Sequence, residues 1–142
     1  MNDVVLAKLA SIRRCLRRIR DVTGGDPARV QDIDVQDIVV LNLQRAIQAA
    51  IDLAAHVISQ RGWGLPDSLK AHFTILARET VIDADLCGKL EAMVGFRNIA
   101  IHDYEALDVD ILTRIVAERL PDLDAFASAV TRLLEAHEKK NE

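Results

Sequence analysis

Apolar residues recur at three- and four-residue steps along almost the whole of this 142-residue chain, which is the spacing of a buried helix face. Segments with Gly and Pro at 23–27 and 62–66 interrupt the pattern. No alternation of apolar and polar residues indicates a strand. The pattern predicts an all-α fold, an antiparallel bundle of about five helices in one domain, residues 1–142, with helices over residues 3–22, 28 or 35 to 60, 67–80, 83 to about 102, and 108 onward.

Two aspartates and a proline refine the later helices. Asp83 and Asp108 are each expected to cap a helix, because a carboxylate accepts a hydrogen bond from a first-turn N–H. Pro121 lies inside an apolar stripe that keeps one phase from Leu112 to Leu134. We therefore predict a kink at Pro121 and not a break.

The charge balance argues against an ordinary nucleic-acid-binding protein. The net charge is −4, whereas such proteins usually carry a basic surplus. The N-terminus lacks the pattern of a signal peptide, and no apolar run approaches the roughly 20 residues of a membrane span. No His, Cys, Asp and Glu cluster with metal-ligand spacing is evident. We expect a cytoplasmic protein with no membrane segment and no metal.

The charge is distributed unevenly along the chain. Residues 1–22 carry +4 and the remainder −8. Arg13, Arg17 and Arg20 share one face of the first helix, turned away from its apolar stripe. This face suits an RNA backbone, but a solvated helix side or a docking surface for an acidic partner protein fits the pattern equally well.

The fourth helix carries an arginine on its apolar stripe. At about 100° per residue, Arg97 falls on the arc of Leu86, Leu90 and Met93, and Tyr104 projects there too. A charged side chain in such a place is costly unless it is paired or lies at an interface. The simplest explanation is an ion pair of Arg97 with a nearby acid, either Asp103 or Glu105.

A histidine lies near this arginine in sequence but not on the same helix face. His102 is about 140° round the helix from Arg97. It follows Asn98 by four residues, so the amide of Asn98 is expected to orient its imidazole. Arg97 and His102 would meet through fraying of the helix end, or through a second copy of the helix across a dimer axis.

The stretch that contains these residues, MVGFRNIAIHDY at 93–104, resembles the signature of the HEPN superfamily, specifically its HepT branch. That pattern is Arg, four residues, His, one residue and Tyr, usually with Asn after the Arg. Three further segments also resemble the family: 43–46, 52–54 and 64–68.

The resemblance implies a homodimeric, all-α ribonuclease toxin that needs no metal or cofactor for cleavage. Arg97 and His102 from two subunits would line a cleft at the dimer interface. The implied partner is an MntA-like nucleotidyltransferase antitoxin, which uses ATP and Mg²⁺ to move AMP to the motif tyrosine, Tyr104. Without that role, Tyr104 is a helix-end tyrosine that packs its ring and exposes its hydroxyl. The resemblance also implies that the arginine face of the first helix contacts RNA or the antitoxin.

The side chains suit metal-free RNA cleavage, in which the 2′-hydroxyl attacks the neighbouring phosphate. Histidine exchanges protons near neutral pH, so His102 can serve as base or as acid. Arg97 can hold the phosphate and stabilise its growing charge, while Asn98 orients. The alternative is a non-catalytic helical dimer that presents substrate to a nucleotidyltransferase. Such a protein would not need both Arg97 and His102, so the intact pair favours the enzyme.

Overall fold

The computed structural model describes residues 1–140, and helices account for most of them. The helices are α1 (Asp3–Thr23), α2 (Ile33–Arg61), α3 (Leu69–Arg78), α4 (Ala84–His102) and α5. Helix α5 runs without a break through Val109–Arg114, Ile115–Arg119 and Leu120–Lys140. Two short 3₁₀ turns, Pro27–Gln31 and Tyr104–Ala106, precede α2 and α5. The prediction of an all-α fold with about five helices is confirmed.

Side-chain caps set the helix starts. Asp83 accepts from the backbone N–H of Leu86, and Asp108 accepts from two N–H groups of its own first turn, so both predicted caps are confirmed. Asp32 caps α2 in the same way. Helices α1 and α2 end at Gly24 and Gly62, whose φ angles of 60° and 67° lie in the left-handed region that glycine tolerates.

The predicted boundaries shift where local chemistry intervenes. Helix α2 begins at Ile33. The residues before it form a separate 3₁₀ turn, Pro27–Gln31, which Asp26 caps and Pro27 begins. Helix α3 is shorter than the predicted 67–80, since Ser68 caps its start and Thr80 adopts a positive φ of 61° just after its end. Helix α4 ends at His102, so Tyr104 lies in the next turn and not on the arc of Arg97.

Pro121 is accommodated inside α5 as predicted, without a break. The five residues Ile115–Arg119, which end two positions before Pro121, form a π-helical segment. A proline has no N–H to donate to the carbonyl one turn back, and a wider π turn absorbs the disturbance while the helix continues. The apolar stripe therefore stays in the core on both sides, with Leu112 and Val130 both fully buried.

Helix α2 lies at the centre of the bundle and contacts α1, α3, α4 and α5. By length and composition, α2 is long and apolar enough to cross a membrane. This corrects the expectation that no apolar segment approaches that length. However, 56% of its most apolar 18-residue window is buried inside the protein, as expected of a core helix. Phe73 of α3 and Phe126 of α5 pack edge to face in the same core, with ring centroids 5.5 Å apart.

Candidate functional site

Two neutral oxygens hold the side chain of Arg97. Its Nη2 donates to Oε1 of Gln48 at 2.5 Å, and its Nη1 donates to Oδ1 of Asn98 at 2.9 Å. Within residues 1–140, no carboxylate forms an ion pair with Arg97. The predicted pairing with Asp103 or Glu105 is therefore wrong. The half-buried guanidinium keeps an uncompensated positive charge.

A chain of polar contacts fixes Gln48 in turn. Its Nε2 donates to Oδ1 of Asp52 at 2.8 Å, and the other oxygen of Asp52 accepts from Nζ of Lys8 at 3.0 Å. Because the amide nitrogen of Gln48 is engaged by Asp52, its oxygen must face Arg97. This series of polar contacts links α1, α2 and α4. Sequence reasoning missed Gln48, although two polar residues four apart in the apolar helix α2 were the available signal.

The structure gives Asn98 a different role from the one predicted. Its side-chain oxygen accepts from Arg97 and does not hold the imidazole of His102. His102 is the last residue of α4 and is exposed. In the part of the chain that the structure describes, no hydrogen bond or ion pair joins it to another side chain. A single chain therefore does not bring Arg97 and His102 together as a bonded pair.

Tyr104 is anchored to α2. Its hydroxyl donates to Oδ1 of Asp37 at 2.5 Å, although its side chain is 39% exposed. Partial burial, the hydrogen bond and the negative charge of Asp37 raise the pKa of Tyr104 to about 12. No signal in the sequence pointed to Asp37, because 67 positions separate the two residues.

Helix α2 thus contacts both ends of the motif. Asp37 and Gln48 lie on the same face of α2 and are separated by about 16 Å along its axis, since a helix rises 1.5 Å per residue. One holds Tyr104 and the other holds Arg97. The relative position of arginine and tyrosine is therefore fixed by one rigid helix.

The arginines of α1 divide differently from the prediction. Arg20 forms an ion pair with Asp124 of α5 at 2.8 Å, whereas Arg13 and Arg17 are exposed. Arg14 and Arg18 line a groove of about 380 Å³ between α1 and α2. The groove is completed by residues of α2, namely Ile38, Leu41, Asn42 and Arg45. Arg45 is about 80° round α2 from Asp37, so the groove lies beside the face that contacts the motif.

Much of the outer side of α4 is apolar, although the ion-paired Asp85 and Lys89 also line it. Two adjoining clefts of about 480 and 300 Å³ lie between α4 and α5 and share Ala92, Phe96 and Ile111. Ile99 and Ile111 are 46% and 51% exposed beside these clefts. Large apolar side chains exposed next to one another mark an interaction surface.

Within residues 1–140, no group of three or more His, Cys, Asp and Glu side chains is arranged to hold a metal ion. Cys15 and Cys87 are both buried and unpaired.

A family model and a curated relative both match most of this chain. The family model described as Ribonuclease HepT-like matches residues 12–130. The chain is 42% identical to the mRNA nuclease HepT of Shewanella oneidensis over 130 residues, 92% of this chain and 98% of the relative.

Solved structures show the same likeness. The tri-AMPylated HEPN toxin of Shewanella oneidensis in complex with MNT antitoxin has a TM-score of 0.87 and 42% identity, covering 93% of this chain and 99% of the other. A toxin–antitoxin structure with AMP-PNP has a TM-score of 0.85, also at 42% identity, covering 92% and 99%. The family match, the identity over nearly the whole chain and the intact motif together show that this chain belongs to the ribonuclease HepT-like family.

Proposed function

We propose that this ribonuclease HepT-like chain is the toxin of a toxin–antitoxin pair and cleaves RNA in the cytoplasm. Cleavage would use Arg97 and His102 in a cleft between two copies of the chain. A nucleotidyltransferase antitoxin would silence it by transferring AMP to Tyr104. The observation that carries the catalytic part is the held but uncompensated charge of Arg97, since neutral acceptors position the guanidinium without neutralising it.

The chemistry follows from the side chains. The 2′-hydroxyl of a ribose attacks the adjacent phosphorus, and the bond from phosphorus to the 5′-oxygen breaks, leaving a 2′,3′-cyclic phosphate. Arg97 stabilises the negative charge that grows on the phosphate oxygens. The imidazole of His102, which no other described side chain engages, is available to take the 2′-proton or to give a proton to the leaving oxygen. This route requires no metal ion.

A second copy of the chain supplies the missing geometry. Arg97 is turned toward α2 while His102 is exposed at the end of α4, so each subunit offers an incomplete pair. The apolar clefts on the outer side of α4, with exposed Ile99 and Ile111, are a surface that a symmetric partner would cover. A homodimer with two facing α4 helices therefore supports a composite site.

The antitoxin proposal rests on Tyr104 and on the relatives. Tyr104 is the motif tyrosine and its side chain is 39% exposed, and the related HEPN toxin from Shewanella oneidensis is tri-AMPylated and in complex with an MNT antitoxin. An AMP group adds bulk and negative charge next to the cleft, which repels an RNA phosphate. The antitoxin would use ATP with Mg²⁺ as the AMP donor.

We assign the groove lined by Arg14, Arg18 and Arg45 to the RNA backbone. These arginines form no ion pairs within residues 1–140, and the groove adjoins the face of α2 that holds the motif. Arg13 and Arg17 extend the positive surface along α1. Arg20 contributes least, because Asp124 neutralises it. If the antitoxin occupies the groove instead, a variant that lacks these arginines would cut RNA normally but bind the antitoxin poorly.

RNA cleavage in the presence of a chelator tests the catalytic proposal. We expect wild type to cut, and Arg97→Ala and His102→Ala to lose at least about 100-fold in rate. Arg132→Ala and His72→Ala are matched controls away from the motif and should cut normally. If wild type does not cut, or if all variants cut alike, the proposal fails. A wild type that binds the antitoxin but never cuts would favour the non-catalytic dimer.

Intact-mass measurement tests the modification. Purified chain is incubated with the antitoxin, ATP and Mg²⁺, and the added mass is followed with time. Wild type should gain AMP, and Tyr104→Phe, which lacks only the hydroxyl, should not. Equal modification of both would remove Tyr104 as the acceptor.

A further inference from the structure

We propose that Asp37 is a catalytic residue for the modification of Tyr104, and that its carboxylate takes the phenolic proton during AMP transfer. This inference rests on the proposed function, because it assumes that Tyr104 is the acceptor. It adds a residue of the toxin itself to a reaction whose other components come from the antitoxin and ATP.

The geometry already has the form of an acid–base pair. The Tyr104 hydroxyl points its proton at Oδ1 of Asp37 across 2.5 Å, which is within the reach required of a general base. Within residues 1–140, no other side chain hydrogen-bonds to this hydroxyl, and no cation is placed to stabilise a phenolate. The only described group that can remove the proton is therefore the carboxylate of Asp37.

The pair keeps Tyr104 protonated until the reaction begins. Burial and Asp37 raise the pKa of Tyr104 to about 12, so the resting group is a phenol and not a phenolate. A phenol becomes a much stronger acid as its oxygen bonds to phosphorus. The proton then passes to Asp37 in the same step, which is the usual action of a general base.

The balanced step is as follows. The Tyr104 oxygen attacks the α-phosphorus of ATP and forms an O–P bond. The bond from the α-phosphorus to the bridging oxygen breaks, and pyrophosphate leaves with that electron pair. The phenolic proton moves to Oδ1 of Asp37. The product is a phosphodiester without the phenolic proton, so Tyr104 can no longer donate a hydrogen bond to Asp37.

Asp37 is not needed to build the fold. It is exposed, and the cap of α2 is Asp32. Asp37→Asn keeps an oxygen acceptor of the same shape but removes the base. Asp34→Asn is a matched control, because Asp34 lies about one turn earlier on the same helix and is exposed, and the Tyr104 hydroxyl donates to Asp37 instead.

The experiment follows the first AMP addition by intact mass, with the antitoxin, ATP and Mg²⁺ at saturating concentration, across a range of pH. We expect Asp37→Asn to lower the rate at neutral pH by about 100- to 10,000-fold, and Asp34→Asn to stay within about twofold of wild type. In Asp37→Asn the residual rate should rise tenfold per pH unit, because only the ionised phenol then reacts. Asp37→Glu should restore part of the rate.

Each outcome separates the possibilities. A rate for Asp37→Asn equal to wild type overturns the role of Asp37 while leaving Tyr104 as acceptor. A lowered rate with the wild-type pH profile shows that Asp37 only positions the tyrosine, which also overturns the proposal. Failure of wild type to gain AMP, or gain of AMP by Tyr104→Phe, contradicts the proposed function itself.

Discussion

The Oε1 atom of Gln48 lies 2.5 Å from Nη2 of Arg97, so a neutral amide in α2 holds the motif arginine of α4. A carboxylate at that position would also hold the guanidinium, but it would cancel the charge that the proposed cleavage requires of Arg97. Asp52 orients the amide from one side and is itself paired with Lys8 of α1. The network that positions Arg97 thus contains one acid, Asp52, but that acid contacts Gln48 and not Arg97.

Gln48 should therefore matter to catalysis through its neutrality. We expect Gln48→Ala to lower kcat/KM for RNA cleavage about tenfold, the cost of losing one hydrogen bond to a charged group. Gln48→Glu should lower it about 100-fold, because it places a negative charge against Arg97. Gln60→Ala, at the exposed end of α2, is the control. Wild-type activity in Gln48→Glu would contradict the role assigned to the uncompensated charge.

Tyr104 should titrate at unusually high pH. It is the only tyrosine in the chain, so the ultraviolet absorbance of the phenolate reports it alone. We expect a pKa of about 12, returning toward the ordinary value of about 10 in Asp37→Asn. Part of the shift should remain in Asp37→Asn, because burial is its largest cause and the hydrogen bond and charge of Asp37 come second. A wild-type pKa near the ordinary value would contradict both the burial of Tyr104 and its contact with Asp37.

The same shift predicts how stability depends on pH. The pKa of Tyr104 is raised in the folded protein, so its contribution to the free energy of unfolding is complete below about pH 10, the unfolded pKa. It is lost as pH rises toward about 12. In chemical denaturation, the stability difference between wild type and Tyr104→Phe should therefore change over this range and be constant at neutral pH. A constant difference throughout would contradict the shift.

The arginine groove predicts the salt dependence of RNA binding. Replacing Arg14, Arg18 and Arg45 together by Gln should weaken binding and reduce the slope of log K against log salt by about 2, at roughly 0.7 per phosphate contact on single strands. Arg20→Gln should change the slope little, because Asp124 already pairs with that charge. Fluorescence anisotropy with a labelled RNA measures both. If the slope changed equally per replaced arginine, in the groove and at Arg20 alike, the result would argue against a defined groove.

The outer face of α4 predicts the oligomeric state. Ile99→Asp and Ile111→Asp should each shift a dimer toward monomer and reduce cleavage in parallel, since a charge in an apolar interface is costly. Val4→Asp is the control, because Val4 is 50% exposed in the first turn of α1. The cap of that turn, Asn2, hydrogen-bonds to His56, toward the other end of α2. Sedimentation velocity measures the state. A variant that is monomeric yet fully active would refute the composite site.

The helices and two of their caps, Asp83 and Asp108, could be predicted from the sequence because they depend on local chemistry. Periodic apolar residues, Asp83 and Asp108 at helix starts, and a stripe that keeps its phase through Pro121 all act within a few residues. The motif with Arg97, His102 and Tyr104 was visible for a similar reason, since it is a fixed spacing along one short segment.

The partners of that motif depended on the tertiary structure. Gln48 is 49 positions from Arg97, and Asp37 is 67 from Tyr104, so no spacing rule connects them. Spacing along the chain instead predicted an ion pair of Arg97 with Asp103 or Glu105, and a contact of Asn98 that orients His102. The packing of α4 against α2 decided otherwise, because it placed neutral and acidic groups of one helix face against the two ends of the motif. Sequence thus determined the helices and the reactive residue types, and packing determined which charges remain free to act.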